Sequence, residues 1–202
     1  MRFLTLSRTA TGLALQVLCC WLWLACQTAT ANVVLDEPHY GLSIAPSLSY
    51  FEDSDNAFEP QSFTDPALIQ QFTPARTSIL RFGYTRSTLW LRLQIDNRLG
   101  SNQNALLYLT RPNIGLMDVY RFTPLGMLPL GAAGSQTPAV YGDIRHRAPV
   151  VDLPLAPGQN NVFLIRMRSD QYLNFSLHLA DPVTFYQEQQ TEQLVIGIAA
   201  GV

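Results

Sequence analysis

The chain of 202 residues is 48% hydrophobic and 14% charged, a balance that suits a folded domain and excludes an intrinsically disordered one. Its 13 basic residues are all arginine, and against 15 acids they leave a formal charge of −2. Arg2 and Arg8 stand at the extreme N-terminus, so the remainder is more acidic still, with no basic patch for nucleic acid or for acidic lipid.

Residues 1–31 read as a secretory signal: Arg2 and Arg8 precede the apolar run GLALQVLCCWLWLA, and Ala29-Thr30-Ala31 supplies a small-residue cleavage site after Ala31. An uncleaved anchor and a lipoprotein signal at Cys26 are the alternatives. Cys19, Cys20 and Cys26 all lie in this segment, so the rest of the chain has no thiol, disulfide or cysteine metal ligand.

Residues 32–186 form one expected domain. Strands are predicted near 47–52, 78–84, 88–96, 104–110, 116–123, 149–155, 161–168 and 172–180, separated by turn residues that include Asn97, Gly100, Pro112, Gly115, Pro124, Gly126, Gly131, Gly134 and Pro157. One short helix follows Thr64, opened by Asp65 and Pro66. Many short strands without a long helix describe an all-β sandwich or barrel. Residues 187–202 begin polar (QEQQTEQ) and end apolar (LVIGIAAGV). Nine apolar residues are too few to cross a bilayer, which takes about 20. The segment is either a short tail or a juxtamembrane stretch entering a first transmembrane helix cut short at Val202, and the second is the expectation.

The stretch YTRSTLWLRLQID at 84–96 alternates strictly. Leu89, Leu91, Leu93 and Ile95 share one face, and Trp90, Arg92, Gln94 and Asp96 the other, the period of a half-buried strand. The same split places Phe163, Ile165 and Met167 inward with Arg166 and Arg168 outward, and Met117 and Val119 opposite Asp118 and Tyr120. At 172–180 it places Leu173, Phe175, Leu177 and Leu179 inward, with Asn174 and His178 opposite. Were these outward faces to lie on one sheet, they would form a surface carrying Trp90, Arg92, Arg166, Arg168, Asn174 and His178.

Taken in order, SYFED at 49–53, STLWLR at 87–92, DVY at 118–120, GDIRHR at 142–147 and FLIRMRS at 163–169 resemble the second type of extracellular domain in bacterial 7TMR-DISM receptors. The likeness covers about residues 47–186. The resemblance implies a jelly-roll-like β-sandwich similar to carbohydrate-binding modules, placed on the periplasmic face of the cytoplasmic membrane and sensing a small ligand. It further implies seven following transmembrane helices and a cytoplasmic output, commonly a diguanylate cyclase or histidine kinase. The expected partners are a small polar ligand such as a carbohydrate, the inner membrane through the C-terminal helix, and a second copy in a homodimer.

Each candidate site residue has a functional and a structural reading. Trp90 and Arg92 suit a platform on which a sugar ring stacks while the guanidinium binds its hydroxyls. Alternatively Trp90 lies beneath a loop and Arg92 pairs with an acid such as Asp118. Asp143, Arg145 and Arg147, beside His146, make a candidate specificity loop or a plain capped turn. Asp118, Tyr120, Arg166 and Arg168 complete the ligand-binding candidates. The acidic run at 52–56 offers oxygen ligands for calcium without EF-hand spacing, and reads as a solvated turn. No catalytic residue, metal site or cofactor is expected, since nucleophile-elbow, phosphate-loop and zinc motifs do not occur. A periplasmic glycan-processing enzyme and a structural adaptor using an exposed edge strand are the alternative functions.

Overall fold

The computed structural model describes residues 32–110, 114–136 and 149–199. All of them belong to one compact unit, Ala31–Val202.

Thirteen strands are formed among the described residues. The first four are β1 (Val33–Leu35), β2 (Gly41–Ser43), β3 (Ser49–Asp53) and β4 (Thr73–Pro74); between β3 and β4 lie a 3₁₀ turn (Pro60–Thr64) and a one-turn helix, α1 (Pro66–Ile69). Then come β5 (Leu80–Tyr84), β6 (Thr88–Asn97), β7 (Gln103–Leu109), β8 (Leu116–Thr123) and β9 (Gly126–Ala133). After β10 (Val150–Leu155), β11 (Asn160–Arg168), β12 (Tyr172–Phe175) and β13 (Leu177–Ala180) follows the helix α2 (Pro182–Ala199). The large sheet runs β4-β3-β6-β11-β8-β9, with β1 parallel to the end of β6. A four-stranded sheet runs β10-β7-β13-β2, and β12 pairs with β5 as a separate ribbon.

The alternation read from β6 decides the core. Leu89, Leu91, Leu93 and Ile95 are fully buried, and they meet Phe163, Ile165, Met167, Met117 and Val119 from the same sheet. Ala105, Leu107, Leu109, Leu153, Leu177 and Leu179 close the layer from the four-stranded sheet. Each fully buried Leu or Ile stabilises the fold by roughly 1.5–3 kcal/mol. The all-β sandwich expected from the strand pattern is the observed architecture.

Three expectations about the elements are corrected. The predicted strand 172–180 is two strands, because the chain turns at Ser176 from the ribbon into the four-stranded sheet; the Ser176 hydroxyl donates to the Ser78 carbonyl at 2.9 Å. Residues 126–133, expected as turns, are strand β9. It lies at the edge of the large sheet, where Pro129 opposite Tyr120 removes no needed donor. The short strands β1, β2 and β4 were not expected, since two or three residues carry no detectable period.

Helix α2 starts within the region assigned to the domain and runs through the 186/187 boundary. Asp181 caps it: Oδ1 accepts from the backbone N–H of Val183 (3.0 Å) and Thr184 (3.2 Å), and Oδ2 accepts from the Thr184 hydroxyl. The same carboxylate accepts from the Tyr40 N–H at 2.9 Å and meets His39 Nδ1 at 3.3 Å, joining the helix start to the segment before β2. Phe185 is fully buried against Leu106, Tyr108, Val150 and Ala180 on the outer face of the four-stranded sheet, and the Tyr108 hydroxyl donates to Glu188 at 2.9 Å. Among the described residues no helix is long and apolar enough to cross a membrane.

Candidate functional site

The outer face of the large sheet is built from two registered rows. Phe51, Trp90, Arg166, Asp118 and Ala132 stand side by side across β3, β6, β11, β8 and β9. Ser49, Arg92, Leu164, Tyr120 and Pro129 make the next row. Strand pairing therefore brings together Trp90, Arg92, Asp118, Tyr120 and Arg166. Arg168 stands on the same face at the exposed end of β11, opposite Leu116.

Segment 54–72 folds over this face. Phe63 is buried on Trp90, ring centroids 4.7 Å apart, and Phe51, Phe58 and Phe72 surround Phe63 in edge and tilted contacts of 5.5–5.9 Å. With Met127 and Leu164 they form a second core outside the sandwich. The cover is held at both ends. Asp53 is buried and accepts from the Ala57 and Phe58 N–H groups, each at 3.0 Å. Thr88 donates to Asn56 at 2.6 Å, and Asn56 has a left-handed φ of 53° that asparagine tolerates. Gln61 grips β9 by a pair of amide hydrogen bonds to Met127, both 3.2 Å, and Asp65 caps α1 through the Ala67 N–H. Any side chain on Gly126, where φ is 117°, would strike Gln61 at 2.8 Å, so the turn glycine makes room for the latch.

The indole of Trp90 consequently has no exposed surface, and a sugar has no open ring on which to stack there. Trp90 thus lies beneath a loop, and Asp118 is not paired with Arg92. Asp118 pairs with Arg166 instead: Arg166 donates Nε at 2.8 Å and a terminal nitrogen at 2.5 Å to Oδ2. Arg166 also sits 5.9 Å over the Trp90 ring and 3.9 Å from Glu59. Burial lowers the Arg166 pKa, and the hydrogen bond and charge of Asp118 outweigh it and raise the net value. Burial first, and then the Asp118 charge, push the Tyr120 hydroxyl up.

Arg92 is half-buried beside this pair, and burial lowers its pKa. Its Nε has no hydrogen-bond partner among the described residues. The same holds for the buried Trp90 Nε1 before it and Gln94 Oε1 after it on the same face. Next to Arg92 the cover leaves a narrow, apolar recess with room for about one water molecule. Phe63, Ile69 and Phe72 of the cover wall it on one side, and Val162, Leu164, Phe122 and Met127 of the sheet on the other.

Other candidates are placed elsewhere. Asn174 lies in the β5–β12 ribbon, and His178 lies on the outer face of the four-stranded sheet beside Tyr108, so neither shares the Trp90 surface. Asp143, Arg145 and Arg147 fall outside the described residues. The acidic run at 52–56 is a built turn in which Asp53 faces inward, and no group of three potential metal ligands occurs among the described residues. Sequence reasoning missed Gln94 as a site residue, although the alternation already put it on the face of Arg92. It also missed the recess, whose walls come from five separate segments.

No curated protein matches the chain. The family model described as 7TMR-DISM extracellular 2 matches residues 45–181, from the turn before β3 through the helix-capping Asp181. That match spans β3 through β13 and the cover, and the chain therefore belongs to the 7TMR-DISM extracellular 2 family, a domain that stands outside the cytoplasm on membrane receptors.

Proposed function

We propose that the domain is the ligand-sensing part of a seven-transmembrane signalling receptor. On this reading it stands at the periplasmic face of the cytoplasmic membrane and binds a small polar ligand on the outer face of the large sheet. Occupancy passes through α2 to a cytoplasmic output such as a diguanylate cyclase or histidine kinase.

The supporting observation is the run of buried polar atoms on β6 that have no hydrogen-bond partner among the described residues: Trp90 Nε1, Arg92 Nε and Gln94 Oε1. A buried donor or acceptor left unpaired costs about 1–3 kcal/mol. Trp90 is sealed beneath Phe63, which leaves the half-buried Arg92 and Gln94 as the two that a polar ligand on this face would reach. A carbohydrate remains among the ligands to test, through its hydroxyls rather than through a stacked ring.

A thermal-shift screen of the protein against sugars, organic acids and amino acids tests this, because a ligand at 100 times its Kd adds about 2.7 kcal/mol of stability. The expected hit loses its effect in both Arg92→Ala and Gln94→Ala. A hit that keeps full affinity in both variants would move the site off this face, and turnover of the hit would replace the sensor by an enzyme.

A further inference from the structure

We infer that a second copy of this chain packs against the outward side of α2, helix to parallel helix, along the stripe Val183, Tyr186 and Gln190. The inference goes beyond the sensor reading and takes from it only that copies held in one membrane point the same way.

Helical geometry sets the stripe. With about 3.6 residues per turn, Phe185 and Glu188 fall on one side of α2. That side meets the four-stranded sheet, where Phe185 is buried among Leu106, Tyr108, Val150 and Ala180 and Glu188 accepts from the Tyr108 hydroxyl. Val183, Tyr186 and Gln190 fall on the opposite side, three and then four residues apart, the spacing of a seam between two helices. Val183 is 52% and Tyr186 49% exposed, so the sandwich leaves both open. Gln193 and Gly197 continue the same spacing by position. Among the described side chains of α2, Phe185 alone is buried, which ties only the first turns to the sandwich. Helices in proteins owe most of their stability to packing of a face, and the outward stripe is the face left to pack.

Charge selects a second copy as the occupant. In a parallel pair related by a twofold axis each residue meets its own counterpart, so an acid on the seam would face an acid. Both acids of α2, Glu188 and Glu192, fall on the side of Phe185, the helix has no basic residue, and the stripe has no charge. A charged partner finds no counter-charge there, whereas a second copy brings the matching neutral stripe. Tyr186 then meets Tyr186, and Gln190, whose amide both donates and accepts, meets Gln190.

Disulfide cross-linking in the envelope of intact cells tests this, with single cysteines in the full chain and Cys19, Cys20 and Cys26 replaced by alanine. Val183→Cys, Tyr186→Cys and Gln190→Cys should each give about fivefold more cross-linked dimer than Gln187→Cys and Thr191→Cys. Adding Tyr186→Glu or Gln190→Glu to Val183→Cys should cut its dimer by about fivefold through like-charge repulsion, while Thr191→Glu should leave it unchanged. Equal yield at every position, a maximum at Gln187 or Thr191, or no dimer anywhere overturns the inference. So does cross-linking at one position alone, the pattern of an antiparallel pair, or a yield at Val183 that neither glutamate reduces. Each of these failures leaves the sensor reading to the ligand screen, which does not depend on pairing of α2.

Discussion

Replacing Asp181 by Asn removes the charge that fastens α2 to the sandwich, and its effect should depend on pH in a specific direction. Burial on its own would raise this carboxyl, but hydrogen bonds from Thr184, from the Tyr40 N–H and from His39 hold it at about 2, below its ordinary 3.8. At roughly 1.4 kcal/mol per pH unit, that depression is worth about 2 kcal/mol when the group is ionised. The side chain is only 7% exposed, so solvent screening takes little of it. A depressed carboxyl contributes its full stability above the unfolded value, and the contribution is lost as pH falls through the folded one. Urea unfolding of the wild type and Asp181→Asn should therefore differ by about 2 kcal/mol at pH 6–7. The gap should begin to narrow near pH 4 and close by about pH 2. Hydrogen exchange should report the loss first at the amides of Tyr40, Val183 and Thr184. A gap that stays constant down to pH 2, or widens on acidification, would refute the assignment of the cap to an ionised carboxylate.

Trp90→Ala should cost about 3–5 kcal/mol in urea unfolding, the range for an emptied aromatic site, whereas Trp90→Phe should cost less than about 2 because the indole N–H has no hydrogen-bond partner among the described residues to lose. Equal losses in the two variants would mean that the nitrogen, not the ring volume, matters. For the neighbouring ion pair, a double-mutant cycle of Asp118→Ala and Arg166→Ala should return a coupling of about 1–2 kcal/mol, since Asp118 is 12% and Arg166 28% exposed. A coupling near zero would mean that the pair contributes no more than a surface contact.

Alternation in β6, β8 and β11 is enough to sort their side chains into core and outer face, because a twofold period maps directly onto the two sides of a sheet. It cannot say what lies against the outer face. The cover uses Phe58, Phe63, Leu68 and Phe72, drawn from a coil, a 3₁₀ turn and a single helical turn, so their spacing follows no period at all. Trp90 and Arg92 are two residues apart on one strand, yet one is roofed by that segment and the other stands at its margin. The pairing of Asp118 with Arg166 rather than Arg92 follows from register: Arg166 is directly opposite Asp118, and Arg92 is one row and two strands away. Proline within β9 hides an edge strand, since the residue that breaks a central ladder is harmless on an outer one. The start of α2 is legible by the same sign as that of α1, because Asp181-Pro182 repeats the Asp65-Pro66 opening.

The two outer faces of the sandwich carry different tasks on this reading, with the ligand face on the large sheet and α2 on the four-stranded one. Their shared core is close-packed, and such interiors transmit displacement instead of absorbing it. One continuous stretch also joins the two faces. Leu164 of β11 lines the recess, and the chain then passes through β12, turns at Ser176, enters β13 and reaches Asp181 at the head of α2. A ligand on the outer face of the large sheet beside β11 would bear on that stretch, whereas a ligand on the ribbon or the four-stranded sheet would not need it. Signalling then requires that the ligand favour one setting of β11 and β13 over another, because equal affinity for both would leave α2 where it was. Asp181 is where such a difference would be read, since its carboxylate is tied to the segment before β2 and to the helix at once, and a shift of β13 cannot keep both sets of hydrogen bonds unless the helix follows.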